Sequence, residues 1–385
     1  MKRVYLDVLG KTHSLYNGFV RFPPEGYEFI VDPVSLTETA LKYRPFFSFQ
    51  RRYLSYLVPL NLVKAYLQKW KKIPQDADLT CSAGHLVFRK EPWVVHLEAV
   101  FELVGYRRRH FKRYKKIIER NLASRNCKSI FCWTEAGKRT VIENLDSRNF
   151  EHKVEVVLLA VPKKDFVKDY SSKDTMKLLF IGSANLPEDF EVKGGKEAIE
   201  TFIQLTKKYD NLELVIRSWV PQYIKNRCAQ FKNIRIIDEM IPMEMLEQEF
   251  KSSDIFLFPS HNTPGLAILE AKSYELPVVT TDVWGNPELI KDGETGFMVN
   301  KSEKIQYYVD NFVPNWGSPE SMKIIKGGVD PKVIEQLVAK TSLLIEDEDL
   351  RRRMGRAGRQ EIETGKFSIG ERNLKLKKIF DEAIE

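Results

Sequence analysis

Short apolar runs alternate with longer stretches of helical periodicity throughout the first 165 residues. Strand-length runs separated by helices are typical of an α/β domain with a mainly parallel sheet, because a helix usually forms each crossover between parallel strands. The predicted strands are residues 2–9, 27–32, 76–83, 91–98, 127–134 and 153–162. We therefore predict an N-terminal α/β domain over residues 1–165.

The same alternation returns after a polar and charged stretch at residues 163–174, which we interpret as a linker. The second set of predicted strands comprises residues 176–185, 211–220, 233–240, 254–261, 276–282 and 295–299. A second α/β domain is therefore predicted over residues 174–367. The final helical pattern, at about residues 368–385, is expected to pack back on the N-terminal domain.

Composition limits the class of protein. The 385 residues suffice for two domains that each bury a core. The four cysteines form no CxxC pair, so we expect neither disulfides nor a structural zinc site. The N-terminus lacks the pattern of a signal peptide, and no run approaches the roughly 18 apolar residues of a spanning helix. These features favour a cytoplasmic protein that is soluble or peripheral on a membrane.

Positive charge is concentrated in the predicted N-terminal domain. Residues 39–75 contain eight Lys or Arg and no Asp or Glu, and residues 105–128 contain ten against one Glu, in a chain of net charge +8. Such clusters predict an anionic partner. Aromatic side chains are interleaved with the charges, which is typical of helices that lie in a membrane interface. The alternatives are a solvated charged face over a core, or a phosphorylated soluble acceptor.

Seven of these cations are the candidate contacts to an anionic membrane or an acceptor, and we name them the basic surface. They are Arg51, Arg52, Arg107, Arg108, Arg109, Lys112 and Arg113.

Candidate chemistry lies in the strand, loop, helix and strand of residues 254–282. Gly265 at the loop-to-helix junction leaves the first helical amides, those of Leu266 and Ala267, open to an anion such as phosphate. Glu270, about one turn later, leans back toward the same place and can accept hydrogen bonds from sugar hydroxyls. Phosphate and ribose together describe a nucleotide. The alternative is that Glu270 only favours the helix dipole and Gly265 only begins a turn.

The motif "NTPGLAILEAKSYELPVVTTDVWGNPEL" resembles the donor-binding region of glycosyltransferase family 4, whose pattern is Glu, seven residues, Glu, then "A...G.PVV.TD.GG.PE". The resemblance continues through "GETGFMV" and "LIEDEDLRRRMGRAGR". It implies the α/β GT-B fold, with two Rossmann-like domains facing each other across a cleft. The implied activity is retaining transfer of a sugar from a UDP-, GDP- or ADP-sugar to a lipid-linked or glycan acceptor at the membrane surface.

The resemblance also implies roles for two residues outside the motif. Lys193, in the segment "VKGG", corresponds to the lysine that binds the donor diphosphate; its alternative is a solvated surface lysine. His96, at the end of the predicted strand "PWVVHLE", corresponds to a histidine that faces the donor sugar and phosphate. A histidine after an apolar run is otherwise a packed and hydrogen-bonded residue.

The chain departs from the family pattern at two positions. Asn262 stands where the pattern has its first Glu, and Ser183 stands where the family has Arg after Gly182. We hypothesise that Arg217, at the end of a predicted strand, supplies the missing positive charge to the donor. Residues 301–328 are longer than the family needs, and no role is assigned to them.

Two further functions remain open on these departures. One is a nucleotide-sugar epimerase of the same fold, and the other is a catalytically weak binding or partner subunit. No metal is expected, because the GT-B fold needs none; the "DAD" of residues 76–78 opens a predicted strand and is assigned a structural role. We expect no nucleic-acid partner, since the resemblance accounts for the chain without one.

Overall fold

The computed structural model describes residues 1–9, 14–31, 57–170, 174–184, 186, 189–262 and 265–385. The chain divides into two compact units, each with its own core. Unit 1 comprises Met1–Leu159 together with Ile369–Glu385, and unit 2 comprises Ala160–Ser368.

Unit 1 is built on a parallel six-stranded sheet with the strand order β2-β1-β3-β4-β5-β6. The central strands are almost wholly apolar and buried because helices cover both faces of such sheets. The strands are β1 (Lys2–Asp7), β2 (Tyr27–Val31), β3 (Leu79–Ala83), β4 (Trp93–Leu97), β5 (Cys127–Cys132) and β6 (Val154–Val156).

In the described part of unit 1, four helices lie between these strands. Thr134 caps the last of them by accepting a hydrogen bond from the Gly137 amide at 3.0 Å. The helices are α1 (Ser14–Arg21), α2 (Leu60–Leu67), α3 (Arg108–Leu122) and α4 (Glu135–Asn144).

Unit 2 has a second parallel six-stranded sheet, in the order β12-β11-β10-β7-β8-β9. Its strands are β7 (Met176–Ile181), β8 (Leu212–Arg217), β9 (Ile234–Ile237), β10 (Ile255–Phe258), β11 (Val278–Thr281) and β12 (Gly296–Val299). The prediction of two α/β domains with mainly parallel sheets is confirmed. Each predicted strand overlaps an observed one, and the largest difference is at β6, which is shorter than the predicted run of residues 153–162.

The helices of unit 2 follow the same alternation. Asp330 and Asp347 cap the two longest, each through a side-chain oxygen that accepts from a first-turn amide. The helices are α5 (Asp189–Val192), α6 (Gly195–Leu205), α7 (Gln222–Cys228), α8 (Met243–Ser252), α9 (Ala267–Ser273), α10 (Asn286–Leu289), α11 (Pro319–Gly327), α12 (Pro331–Glu346) and α13 (Glu348–Glu363).

The unassigned residues 301–328 form a small folded segment after β12. They contain an antiparallel pair, β13 (Tyr308–Val309) with β14 (Val313–Pro314), and then α11. Within this pair the rings of Tyr308 and Phe312 stack with centroids 4.3 Å apart. Such short strands leave little periodicity in a sequence, which explains why no element was predicted there.

The last helix, α14 (Ile369–Ile384), belongs to unit 1. Phe380 packs edge-on against Tyr27 and Phe29, with ring centroids 5.3 and 5.9 Å away. The guanidinium of Arg372 donates to the carbonyl oxygens of Gly18 and Phe22. Both apolar packing and backbone hydrogen bonds therefore attach this helix to the start of the chain.

The stretch that the sequence presents as a linker is packed on unit 2 over its described part. Arg359 donates to the carbonyl oxygens of Lys164 and Phe166, both at 2.9 Å. Lys168 is 6% exposed and donates to the carbonyl oxygens of Lys251 and Ser253. Polar composition suggested a solvated connection, whereas these charged side chains bind backbone carbonyl groups.

Candidate functional site

The predicted donor residues of unit 2 gather where adjacent strands end. Strand β7 lies between β8 and β10, so Gly182, Ser218 and Pro259 follow neighbouring strands at one edge of the sheet. This carboxyl edge is where ligands bind in open α/β sheets, because the loops there lead into helix N-termini. Arg217 is the last residue of β8, and Ser183 lies just after the end of β7.

A glycine brings Lys193 against the end of β10. Gly194 has a φ of +84°, and a Cβ atom at that position would lie 2.1 Å from the carbonyl oxygen of Pro259. Only glycine allows this approach of the turn before α6. The Lys193 ammonium consequently lies over the ring of Phe258, 5.8 Å from its centroid. The structure thus places Lys193 beside the loop that carries Asn262.

Arg217 lies against the residue that precedes Ser183. Its Nη1 donates to the Gly182 carbonyl oxygen at 3.3 Å, and its Nη2 is 3.5 Å from the sulfur of Met240. Its Nε is buried and has no hydrogen-bond partner within the described part of the chain. Burial lowers the pKa of this guanidinium, and the Glu270 carboxylate opposes that effect. The geometry therefore supports, without testing, the hypothesis that Arg217 replaces the arginine missing at Ser183.

Glu270 faces two cations from within α9. Burial raises the pKa of its carboxyl group to about 7, while Lys164 and Arg217 act in the opposite direction. A carboxyl group with this pKa changes charge near neutrality, so its surroundings do not fully stabilise the ionised form. Two ribose hydroxyl groups would supply hydrogen bonds to such a carboxylate.

The loop after β10 is held rigidly where it is described. The Ser260 hydroxyl donates to the Asn262 carbonyl oxygen at 2.9 Å, and the His261 amide donates to the Val192 carbonyl oxygen at 2.8 Å. Asn286 donates to the Ser260 hydroxyl at 3.3 Å. The Asn262 side-chain oxygen, in contrast, is buried and lacks a partner among the described residues. The backbone of Asn262 is thus held by a hydrogen bond, and its side-chain amide has an unused acceptor there.

The helix start that was predicted to bind phosphate is described from Gly265 onward, and residues 263 and 264 lie outside the described part. Gly265 has a φ of +60°, a conformation that residues other than glycine rarely adopt. Among the described residues, no side-chain cap accepts from the first amides after Leu266, and Ala267 begins α9. The helix spans only seven residues, so its dipole contributes less than that of a long helix.

Two glycine positions of the family pattern hold other residues here, in the glycine conformation. Glu275 stands at the glycine of "G.PVV" with a φ of +57°, and Trp284 stands at the first glycine of "GG.PE" with a φ of +55°. Positive φ is strained for side chains of this size, so neighbouring contacts must hold both residues. The sequence reasoning missed both departures.

Those compensating contacts are visible. The Glu275 carboxylate accepts from Arg359 at 3.0 Å and from the Tyr170 hydroxyl. The indole of Trp284 stacks on Phe312 with centroids 5.4 Å apart and planes 9° apart. The residues 301–328 therefore stabilise the loop at Trp284, a contact across 28 positions of sequence that no local pattern signals.

In unit 1, His96 lies one residue before the end of β4, inside a cluster of aromatic rings, and is 1% exposed. The Trp133 indole donates to its Nδ1 at 3.1 Å, and the ring stacks on Phe131 with centroids 4.9 Å apart. Burial holds the pKa of His96 well below its usual value. A neutral ring whose Nδ1 accepts must carry its proton on Nε2. His96 is therefore packed and hydrogen-bonded, as in the alternative to a role in donor binding.

The basic surface is described in part, since Arg51 and Arg52 lie outside the described residues. Arg107 precedes α3, and Arg108, Arg109, Lys112 and Arg113 project from its exposed face. The opposite face of α3 buries Phe111, Ile118 and Leu122. Helix α3 is therefore strongly amphipathic, with one apolar face in the core of unit 1 and one cationic face outside.

Two absences concern the described residues alone. There, no three His, Cys, Asp or Glu side chains are grouped as they would be to hold a metal ion. Both aspartates of the "DAD" motif accept from Arg3: Asp76 accepts from the Arg3 guanidinium, and Asp78 accepts from the Arg3 backbone amide at 2.7 Å. Within the same ranges, no helix is both long and apolar enough to cross a bilayer.

Comparison with known proteins points to one class of enzyme for the region that forms this site. Residues 175–312 match the family model described as "Glycosyl transferases group 1". The capsular polysaccharide biosynthesis glycosyltransferase CapM of Staphylococcus aureus is 32% identical over 120 residues, which is 31% of this chain and 23% of that protein. The chain therefore matches less than a quarter of this relative's length.

Solved structures resemble the whole chain at low sequence identity. Sucrose-phosphate synthase from Thermosynechococcus elongatus has a TM-score of 0.64 and 14% identity, and 99% of each chain is covered. Anabaena HepE, solved in complex with UDP and glucose, has a TM-score of 0.58 and 14% identity, again over 99% of each chain. Likeness at this identity shows the fold. The chain has the fold of the GT-B glycosyltransferases, and residues 175–312 match the glycosyl transferases group 1.

Proposed function

We propose that this chain is a glycosyltransferase that moves a sugar from a nucleoside diphosphate sugar to an acceptor. The observation that supports this most is the grouping of Lys193, Arg217, Asn262 and Glu270 around the strand ends of unit 2. These residues lie within the region that matches the glycosyl transferases group 1. Two cations, a carboxyl group and an unused amide oxygen provide the contacts that a diphosphate, a ribose and a sugar need.

The diphosphate would bind between Lys193, Arg217 and the amides of Leu266 and Ala267. As the bond to the sugar breaks, negative charge grows on the departing diphosphate, and fixed cations and amides stabilise that charge. Ser183 would contribute a hydroxyl at the same strand end. Glu270 would accept hydrogen bonds from the ribose. No metal ion is part of this proposal.

Asn262 and His96 would address the transferred sugar. The Ser260 hydroxyl donates to the backbone carbonyl of Asn262, and the side-chain amide oxygen of Asn262 has no partner among the described residues. His96, with its proton on Nε2, would donate to a sugar oxygen; at 1% exposure, this requires movement of the surrounding aromatic side chains. The resemblance to glycosyltransferase family 4 supports transfer with retention, in which the acceptor hydroxyl attacks on the face from which the diphosphate departs.

The acceptor is proposed to be lipid-linked or a glycan at the cytoplasmic face of an anionic membrane. The exposed cations of α3 support this, because each Lys or Arg near an anionic surface contributes about 1 kcal/mol. The similarity to CapM, a glycosyltransferase of capsular polysaccharide biosynthesis, also favours a glycan-building role.

Thermal unfolding in the presence of UDP, GDP, ADP and their sugar conjugates tests the donor site first. A ligand at a hundred times its dissociation constant stabilises the folded protein by about 2.7 kcal/mol. We expect one nucleotide to raise the midpoint, Glu270→Ala to abolish the rise, and Glu294→Ala to preserve it. Glu294 is a matched control because it is an exposed glutamate of the same unit.

Product analysis by NMR then separates the proposed activity from its alternatives. If the chain transfers a sugar, the sugar should leave the nucleotide only when an acceptor is present. The product should keep the anomeric configuration of the donor, and a chelator should not stop the reaction. An altered nucleotide sugar without any acceptor would identify an epimerase instead. Binding without turnover of any conjugate would favour a partner subunit.

A further inference from the structure

A cavity of about 230 Å³ lies in unit 2 beside the loop that carries Asn262. It is lined by His261 from that loop, Glu197 from α6, and residues of the segment that precedes and begins α12. None of the residues assigned to the donor lines it. The cavity is larger than a single water molecule requires, so it has room for a ligand of several non-hydrogen atoms.

Glu197 is the residue that points to a ligand. It is 3% exposed, and its Oε1 lies 3.0 Å from Nε2 of His261. Its second oxygen, Oε2, is buried with no hydrogen-bond partner in the described part of the chain. A buried carboxylate oxygen without a donor is costly, and natural proteins satisfy such atoms with protein, water or ligand.

The groups beside this carboxylate are His261 and a pair of oppositely charged residues. His261 lies between the Tyr307 hydroxyl, 2.8 Å from its Nδ1, and Glu197, 3.0 Å from its Nε2. Lys304, the cation at the cavity, lies 3.3 Å from Asp330 and is balanced by that aspartate. Among the lining residues, Glu197 therefore has no lysine or arginine partner.

Beside Ser302 and the Lys304–Asp330 pair, the lining includes several apolar side chains. Ile305, Ile325 and Val333 line the cavity and are 2–7% exposed. A ligand that matches this lining carries N–H donors and positive charge at one end and a short aliphatic part at the other. An anion or a sugar phosphate does not match it.

We propose that this cavity binds a small organic ammonium ion, whose N–H group donates to Oε2 of Glu197 while its carbon atoms lie against Ile325 and Val333. Residues 301–328, which exceed what the family pattern needs, supply much of the lining. This gives that segment a role of its own in ligand binding. Because His261 precedes Asn262, the ligand contacts the same loop as the candidate donor site while remaining outside that site.

Isothermal titration calorimetry of the full chain at neutral pH tests the proposal with three probes: ethanolamine, putrescine and, as an uncharged match, ethylene glycol. We expect at least one of the two amines to bind and the glycol not to bind. Glu197→Gln should weaken amine binding at least tenfold, because an amide N–H₂ then replaces the carboxylate oxygen. Val333→Phe should abolish binding by filling the cavity. Glu335→Gln, an exposed change on the same helix, should leave affinity unchanged.

NMR of histidine-labelled protein locates the bound amine, and His261→Gln assigns the His261 ring signal. A shift of that signal on titration is expected. Failure of both amines to bind, equal binding of ethylene glycol, or unchanged affinity in Glu197→Gln would overturn the proposal and leave a water-filled cavity. If Glu197→Gln does not fold, Val333→Phe and the His261 signal decide. None of these outcomes depends on whether the chain binds a nucleotide.

Discussion

At the residue scale, the protonation of Glu270 couples the candidate donor site to stability. Burial raises the pKa of this carboxyl group to about 7, above its usual value in an unfolded chain. Between the two pKa values the folded protein holds a proton that the unfolded chain has released. The contribution of Glu270 to the free energy of unfolding is therefore largest in acid and declines as the pH rises through about 7.

Glu270→Gln should reveal this dependence, because glutamine stays neutral at every pH. Relative to the unaltered protein, we expect the variant's free energy of unfolding to rise by up to about 3 kcal/mol between pH 4.5 and pH 8. Urea unfolding across that range measures the difference. Glu294→Gln, at an exposed site, should give a difference that does not change with pH; the same flat profile for Glu270→Gln would contradict the expectation.

Arg217 should matter for nucleotide binding rather than for folding. Replacing it with methionine removes a charge-assisted contact, which is worth about 1.5 to 3 kcal/mol, or about ten- to hundredfold in the dissociation constant of the preferred nucleoside diphosphate. Arg235→Met is the control, since Arg235 lies on the neighbouring strand and pairs with Glu249 at the surface. Equal nucleotide affinity in both variants would refute the role given to Arg217.

Residue chemistry was predictable where the motif is local and hidden where the contact is distant. Gly265, Glu270 and Lys193 are named by the family pattern within short stretches. The His261–Glu197 contact joins residues 64 positions apart, so no local spacing announces it. The aromatic cluster around His96 likewise depends on tertiary packing. Sequence could nominate His96 as a ligand or as a packed residue, and only the fold shows how closely it is enclosed.

At the scale of elements, the turn before α6 controls the position of Lys193. Gly194→Ala would place a methyl group against the Pro259 carbonyl and impose a positive φ on alanine. We expect the free energy of unfolding to fall by about 2 kcal/mol or more, with weaker binding of the nucleotide at temperatures where the variant is folded. Gly317→Ala has no neighbour within 4 Å and serves as the control.

Denaturation and nucleotide titration of the two glycine variants check this expectation. A Gly194→Ala protein as stable as Gly317→Ala would show that the approach to Pro259 is readily relaxed. Loss of stability with unchanged nucleotide affinity would separate the turn from the site.

Elements were predictable where burial imposes a period. The twelve strands of the two sheets are short apolar runs between helices, and the alternation alone identifies them. The β13–β14 pair was not predicted, because each strand has only two residues and the pair packs by aromatic stacking on the loop at Trp284. The polar composition of residues 163–170 also gave no sign of the hydrogen bonds that charged side chains make there with backbone carbonyl groups.

At the scale of the molecule, the distribution of charge should determine membrane binding. Replacing Arg108, Arg109 and Arg113 together with serine removes three exposed cations, worth about 3 kcal/mol near an anionic leaflet. We expect about a hundredfold weaker partition onto anionic vesicles, measured by flotation, and no flotation with neutral vesicles. Serine at Lys207, Lys232 and Lys332, all exposed in unit 2, is the matched control. Equal flotation of both triple variants, or none by the unaltered protein at low salt, would end the membrane proposal.

The docking of α14 on unit 1 has a consequence for biosynthesis. Unit 2 is inserted between the two chain segments of unit 1, so the ribosome makes Tyr27 and Phe29 long before their partner Phe380. Translation at about 5 to 20 residues per second leaves this apolar edge uncovered for roughly 10 to 40 s while unit 2 is made. A nascent chain stalled before α14 would thus contain a complete second unit and an unfinished first one. In such a chain, the apolar surface at Tyr27 and Phe29 is where we expect a chaperone to bind.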